Sequence, residues 1–310
     1  MSQPSRRSRT LGALLGVHAG DSLGATVEFQ SWAEIQQSHP AGVRDIVGGG
    51  PFDWPPGHAT DDTDLTRAVL LAYRAAEAAR RDPARPKVPD VVVEAARNMV
   101  DWYDGRWPGR ERGIPPRDVG GATATGIRRF KAGGKGGAGE GRAGNGSLMR
   151  CVPTGLFGGE GVVPQAVGIS AVTHDDPLCT TACVAYCVMR VGAALEAGRT
   201  LVTVRDLAAR GPRDAANGPK VLPFKAAGYV LESLVVAVAA LFDARPLEEV
   251  LVDVVRIGAD TDTNAAIAGG LLGARDGVEA IPLRWRERLQ FRDEFEDVVD
   301  FLVPEEGEAV

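Results

Sequence analysis

The sequence predicts an all-α protein. Apolar residues recur at helical spacing through most of its 310 residues, several of these runs open with Pro and close at Gly, and no convincing strand alternation interrupts them. The first helix is expected over 9–24, after a solvated tail at residues 1–8. Further helices are expected over Asp62–Arg81, Val88–Tyr103, Val119–Lys131, Pro164–Val172, Pro177–Ala197, Val221–Phe242, Pro246–Ile257 and Thr261–Arg275. Leu65, Val69, Ala72 and Ala76 mark the apolar face of the Asp62–Arg81 helix. Pro164 starts a helix, and Gly198 and Gly277 stop two others, which is the expected asymmetry of helix ends. The one short strand candidate is Val43–Val47. Three loops rich in Gly and Pro, 48–58, 104–117 and 132–146, join these runs. No repeat and no linker between separate cores is evident, so residues 9–303 read as one domain, with a second tail at 304–310.

Composition narrows the partners. A net charge of −6 and 6% aromatic residues leave neither the basic surface nor the stacking platform that nucleic acid requires. Cys179, Cys183 and Cys187 fall at i, i+4 and i+8, and with Cys151 they read as small buried residues rather than as a zinc or redox site, since no CxxC pair is present. A disulfide framework is not expected in so large a chain, which suits a reducing compartment. Arg6-Arg7 before Leu11–Val17 superficially resembles an export signal, but the apolar stretch is short and His18 and Asp21 follow it at once. The longest apolar run, Val230–Phe242, is too short to span a bilayer. A soluble, cytoplasmic protein, monomeric and free of membrane partners, is expected.

Two acidic clusters carry the strongest chemical signal: Thr60-Asp61-Asp62-Thr63 and Asp260-Thr261-Asp262-Thr263. Each leads into a helix, so each could be an N-cap. A cap needs one oxygen, however, and each cluster offers two carboxylates and two hydroxyls. Carboxylates packed this closely repel unless a cation offsets them. The donor set is that of Mg²⁺ or Mn²⁺ rather than zinc or copper, and two clusters could form the halves of a dinuclear site.

Four other segments stand out. Gly16, Gly20 and Gly24 form a smooth stripe for close helix packing. Asp21 sits among them, where a lone buried carboxylate is costly, and Glu28 follows the helix as a candidate base or substrate contact. The Gly-rich stretch 132–146 is either a flexible surface loop or a mobile border of a ligand site. Gly144-Asn145-Gly146-Ser147 could cradle a phosphate with its amides or be a turn with a left-handed Asn. His174, in Thr173-His174-Asp175-Asp176, could be a core histidine, a helix-start residue or a ligand contact.

In order, these blocks resemble the ADP-ribosylglycohydrolase family: Gly20–Gly24 with Glu28, Thr60–Thr63, Gly144–Arg150, Thr173-His174, Gly228-Tyr229-Val230, and Asp260–Thr263 running into Gly270. Gly24–Phe29 and Gly126–Phe130 look most like the branch that activates dinitrogenase reductase by removing ADP-ribose from arginine. The resemblance implies a single compact, orthogonal multi-helix bundle with a central metal cleft and two Mg²⁺ or Mn²⁺ ions. Thr60, Asp61 and Asp62 match one ligand set, and Asp260, Asp262 and Thr263 the other. It further implies that Gly144, Asn145, Gly146 and Ser147 line the ADP-ribose phosphates, that Asp21, His174 and Tyr229 border the substrate, and that the partners are an ADP-ribosylated protein and ADP-ribose. Asp118 best matches the general base of the arginine branch, and Glu28 the catalytic residue of the serine branch. Alternatives within this resemblance are ADP-ribosyl-serine or another O-linked or nucleic-acid adduct as substrate, or a non-catalytic ADP-ribose-binding relative. Three residues depart from the family pattern. Asp64 stands where Glu or Gln is more usual, Ala259 where a second Gly is usual, and Asn264 where an aliphatic is common.

Overall fold

The computed structural model describes residues 3–84, 87–189 and 226–304. Along the chain the helices are α1 (Arg6–Gly24), α2 (Trp32–Ser38), α3 (Asp61–Arg81), α4 (Val91–Tyr103), α5 (Gly121–Gly133), α6 (Val152–Phe157), α7 (Val162–Ala171), α8 (Pro177–Val188), α9 (Val230–Phe242), α10 (Leu247–Arg256), α11 (Thr261–Asp276), α12 (Leu283–Arg286) and α13 (Arg292–Leu302). No strand occurs among the described residues. Isolated bridges pair Ser31 with Gly258 and Gly49 with Trp54, and Val43–Val47 is loop with Val43 and Ile46 buried. No described helix is long and apolar enough to cross a membrane. The expected extension of the Pro177 helix to Ala197, its Gly198 stop, residues 221–225 of the Val221–Phe242 helix, and 305–310 of the C-terminal tail lie outside the described residues.

Helix ends follow local chemistry. α1 starts at Arg6, not at residue 9, because the Ser5 side chain accepts from the Ser8 amide. α4 starts at Val91, not Val88, because one Asp90 carboxylate oxygen accepts from the amides of Val92 and Val93 at 2.8 and 3.1 Å. α9 starts at Val230 because Ala226 and Gly228 adopt left-handed φ of 52° and 81°. Four of the described helices were not anticipated: α2, α6, α12 and α13. α2 carries a capping box in which Ser31 and Glu34 bond reciprocally.

The chain falls into two compact units, one of residues 1–62 with 189–310, the other of 63–188. In the first, α1 packs antiparallel on α11 through small residues. Gly12, Gly16, Gly20 and Gly24 face Gly273, Gly269, Ala265 and Thr261 in turn. A Cβ on Gly16 would stand 2.2 Å from the Gly269 carbonyl oxygen, and one on Gly20 2.1 Å from that of Ala265. Backbone therefore meets backbone, closer than ordinary side chains allow, and Thr261 Oγ1 donates to the Gly24 carbonyl at 2.7 Å. Leu14, Leu15, Leu23, Ile267 and Leu272 are buried around this seam. In the second unit, α3 from Thr63 onward, α4, α5 and α7 bury Leu65, Val69, Ala95, Met99 and Ile127, and Asn98 Nδ2 donates to the Ala68 carbonyl at 2.9 Å, joining α4 to α3.

Candidate functional site

The glycine seam decides where the chemistry sits in the first unit. It holds the start of α11, and with it Asp262 and Thr263, against α1, which carries Asp21. Both Asp21 carboxylate oxygens accept from the Thr60 amide, at 3.1 and 3.4 Å, which draws in the start of α3. Thr60 Oγ1 takes the Asp62 amide at 3.3 Å and donates to Asp62 Oδ2 at 3.2 Å. Thr263 Oγ1 donates to the same Asp62 oxygen at 3.3 Å. The two acidic clusters thus meet directly, although about 200 residues separate them. Capping accounts for only part of these oxygens: Asp262 Oδ1 accepts from the Thr263 amide at 2.9 Å. The Asp260 side chain makes no cap at α11, and at α3 the hydroxyl of Thr60 takes the Asp62 amide.

Asp21, Asp62, Asp262 and Glu28 are buried, and Asp61 and Asp260 half-buried. A carboxylate oxygen of Glu28 lies within 4.8 Å of one of Asp262. Burial first, then repulsion from Asp62, Glu28, Asp260 and Asp21, pushes the Asp262 carboxyl well above the usual carboxylate range. No Lys or Arg occurs in 16–31, 57–63 or 257–264. Buried anions of one sign, with hydroxyls and no nitrogen or sulfur donors among them, fit a hard divalent cation. Thr60, Asp61 and Asp62 could supply one set of oxygens, and Asp260, Asp262 and Thr263 another.

Backbone strain fixes Glu28 beside this group. The Phe29 amide donates to the Ala259 carbonyl at 2.8 Å, and the Ala259 amide to that of Gln30 at 2.8 Å. Phe29 and Ala259 both adopt φ of 64°, which non-Gly residues rarely do. At Ala259 the reciprocal bonds hold the left-handed turn. Asn264 also gains a structural account: its Nδ2 donates to the carbonyls of Ala226 (2.8 Å) and Asp260 (2.6 Å), tying the approach to α9 to the second cluster. Tyr229 is 40% exposed at the start of α9, and a Cβ on its neighbour Gly228 would stand 3.4 Å from Asp260 Oδ2.

The second unit gathers the remaining candidates. Asn145 opens a turn whose carbonyl accepts from the amides of Leu148 and Met149. Among the described residues the amides of Gly146 and Ser147 meet no protein acceptor. The Ser147 hydroxyl faces inward, 3.0 Å from Ser170 Oγ and 3.4 Å from Cys183 Sγ. Arg150 is buried, donating to the Gly146 carbonyl at 2.7 Å and to Thr173 Oγ1 at 2.6 Å. The same hydroxyl lies 2.8 Å from His174 Nδ1, which fixes the ring's orientation. Burial first, and the Arg150 charge second, lower the His174 pKa to about 3. His174 is therefore a neutral imidazole near pH 7, and a Cβ on Gly146 would stand 3.0 Å from its ring.

The Gly-rich stretch is held rather than loose. Gly137 donates to the Val172 carbonyl, Gly139 to Asp175 and Gly141 to Asp176, at 3.0, 2.7 and 2.8 Å, which seats the stretch on the segment that carries His174. Asp118 is half-buried in the loop that leads into α5. Cys151, Cys179, Cys183 and Cys187 are buried free thiols. Burial pushes Cys151 and Cys183 well above the ordinary thiol range and Cys179 up to about 12, as expected of packing residues.

Asp64 is a functional-looking residue that sequence reasoning noted only as a departure. One of its oxygens accepts from Arg67 Nη1 (3.0 Å) and Trp107 Nε1 (3.2 Å), the other from Trp102 Nε1 (3.1 Å) and Arg110 Nε (2.9 Å). This buried hub clips the 104–117 loop to α3 and α4. The donors lie far apart along the chain, so no local motif announces it.

Known proteins are similar to this chain along nearly its whole length. The ADP-ribosylglycohydrolase family model matches residues 2–309. An ADP-ribosyl-[dinitrogen reductase] glycohydrolase from Rhodospirillum rubrum is 34% identical over 96% of this chain and 95% of its own length. ADP-ribosylarginine hydrolase Tri1 from Pseudomonas putida is 29% identical over 95% of this chain and 77% of its own. A solved structure titled ADP-ribosylglycohydrolase-related protein complex superposes with a TM-score of 0.71 at 29% identity, covering 96% of this chain and 97% of that one. The chain belongs to the ADP-ribosylglycohydrolase family.

Proposed function

We propose that this protein is a hydrolase that removes ADP-ribose from arginine side chains of modified proteins, with residues 9–303 acting as one domain. The observation that carries the reading is the contact of the two acidic clusters, Thr263 to Asp62, in a chain whose relatives are named for this activity. Two Mg²⁺ or Mn²⁺ ions, when bound, would supply positive charge that orients the ribose hydroxyls and lowers the pKa of water. Thr60, Asp61 and Asp62 would hold one, and Asp260, Asp262 and Thr263 the other.

The chain's own residues do the rest. The amides of Gly146 and Ser147, with Gly144 and Asn145 beside them, receive phosphate oxygens, which suits an acidic protein that lacks a broad positive field. His174 hydrogen-bonds a ligand oxygen and stays neutral at physiological pH. Asp21 orders Thr60 from behind, and Tyr229 borders the nucleotide. A carboxylate, Asp118 or Glu28, takes a proton from the attacking water as positive charge grows on the ribose ring. The burial of Glu28 beside Asp262 favours a second reading, in which Glu28 is the catalytic carboxylate and the linkage is to serine or another hydroxyl. Four free cysteines suit a monomer working in a reducing cytoplasm.

The test is hydrolysis of arginine-, serine- and glutamate-linked ADP-ribosyl substrates with Mn²⁺ and with EDTA. Release of ADP-ribose from the arginine conjugate, lost in EDTA and restored by Mn²⁺ or Mg²⁺, is expected. Full activity in EDTA contradicts the metal assignment, and release from the serine conjugate alone contradicts the arginine assignment.

A further inference from the structure

One corner of the first unit concentrates strain and exposed aromatic surface without serving the core. Among the described residues four non-Gly residues have positive φ, and three of them meet here: Phe29 (64°), Asp53 (52°) and Ala259 (64°). Such strain persists only where surrounding structure imposes it. The reciprocal bonds between 29–30 and Ala259 hold one side. On the other, Gly49 and Trp54 exchange two backbone hydrogen bonds of 2.8 Å and close a tight turn with Phe52 and Asp53 at its tip. A Cβ on Gly50 would stand 1.9 Å from the Ala25 carbonyl oxygen, so this turn sits on the backbone just ahead of Glu28.

The rings form a chain. Phe29 meets Phe52 edge-on at 6.5 Å, Phe52 meets Trp54 at 5.5 Å, and Trp54 stacks on His58 at 4.5 Å. Trp54 is buried, while the Phe29 ring is 65% exposed. A large apolar ring held rigidly in water beside a catalytic candidate is a contact surface rather than a packing residue. Its charge is one-sided. Residues 25–31, 49–58 and 257–263 contain no Lys or Arg, but do contain Glu28, Asp53, Asp260 and Asp262. Asp53 is exposed. An aromatic face beside an exposed carboxylate is complementary to a guanidinium or ammonium group.

We propose that the Phe29–Phe52–Asp53 corner docks the polypeptide around the modified residue, selecting a basic segment whose cation lies over the Phe29 ring and pairs with Asp53. This rests on the glycohydrolase reading and adds the side of the substrate that is not ADP-ribose. The test compares three arginine-linked substrates: the free ADP-ribosyl-arginine conjugate, the same linkage in a Lys/Arg-flanked peptide, and the same linkage in a Glu/Ser-flanked peptide. Phe29→Ala and Asp53→Asn should each raise KM for the basic peptide about five- to tenfold with kcat unchanged. Neither should change the free conjugate, and Phe29→Tyr should keep the wild-type KM. Circular dichroism and thermal melting check that each variant folds. Equal losses on all three substrates, or none on any, overturn the proposal, as does a wild type that treats the two peptides alike. A wild type inactive on all three removes the arginine-linkage reading, and this proposal with it.

Discussion

Asp62 and Asp64 stand two residues apart on one helix, both buried, in opposite surroundings. Asp64 accepts from two arginines and two indoles, so its charge is matched and its oxygens are saturated. Asp62 accepts from two threonine hydroxyls and adds its charge to those of Asp262, Glu28 and Asp21. The first arrangement is finished within the protein. The second gathers carboxylates that repel one another, and it is the proposed cation site. Burial alone therefore says little about a carboxylate's role; what separates a structural anion from a binding site is whether the fold has already provided its counter-charge.

The same substitution at each position breaks this comparison most sharply. Asp64→Asn leaves the nearly inaccessible Arg67 short of its anion and should cost about 3–5 kcal/mol of stability, read by denaturant unfolding. Asp62→Asn removes repulsion and should leave metal-free stability unchanged or higher, while activity falls by about 10³-fold or more. Comparable destabilisation by both would erase the distinction. Gly20→Ala tests the seam that assembles the acidic side. Its new methyl would press on the Ala265 backbone, and a loss of about 2–3 kcal/mol is expected.

A pH-dependent effect separates His174 from the carboxylates. Its folded pKa of about 3 lies below the ordinary histidine value, so the unfolded chain binds a proton that the folded one refuses. This contribution is fully present above pH 6.5 and is lost as pH falls from there toward 3, by about 1.4 kcal/mol per pH unit. His174→Gln should flatten that part of the stability profile, and an unchanged slope would contradict burial of the neutral ring. The smallest effect is expected at Ala259. Replacement by Gly relieves a left-handed alanine and should stabilise by about 1 kcal/mol or less, measured as a rise in Tm.

Much of this was legible in the sequence, and the exceptions share a cause. Long periodic helices such as α3 and α11 were plain. The short α2 was missed although Ser31 and Glu34 spell a capping box, because seven residues give too little periodicity. Gly16, Gly20 and Gly24 were visible as a stripe, but their partners Gly269, Ala265 and Thr261, far along the chain on α11, were not paired with them. Both acidic clusters were evident, and that Thr263 reaches Asp62 is a tertiary fact. The Asp64 hub was illegible for the same reason: Trp102, Trp107 and Arg110 mean nothing as a spacing.

The most direct measurement is thermal melting of the wild type, Asp62→Asn, Asp262→Asn and Asp64→Glu against rising Mn²⁺. Binding at about 100 times Kd should stabilise the wild type by about 2.7 kcal/mol. The shift should vanish in Asp62→Asn and Asp262→Asn and persist in Asp64→Glu wherever that variant folds. Equal Mn²⁺ shifts in the wild type and in both Asn variants, or none in the wild type, would contradict the claim that the two acidic clusters form one cation site.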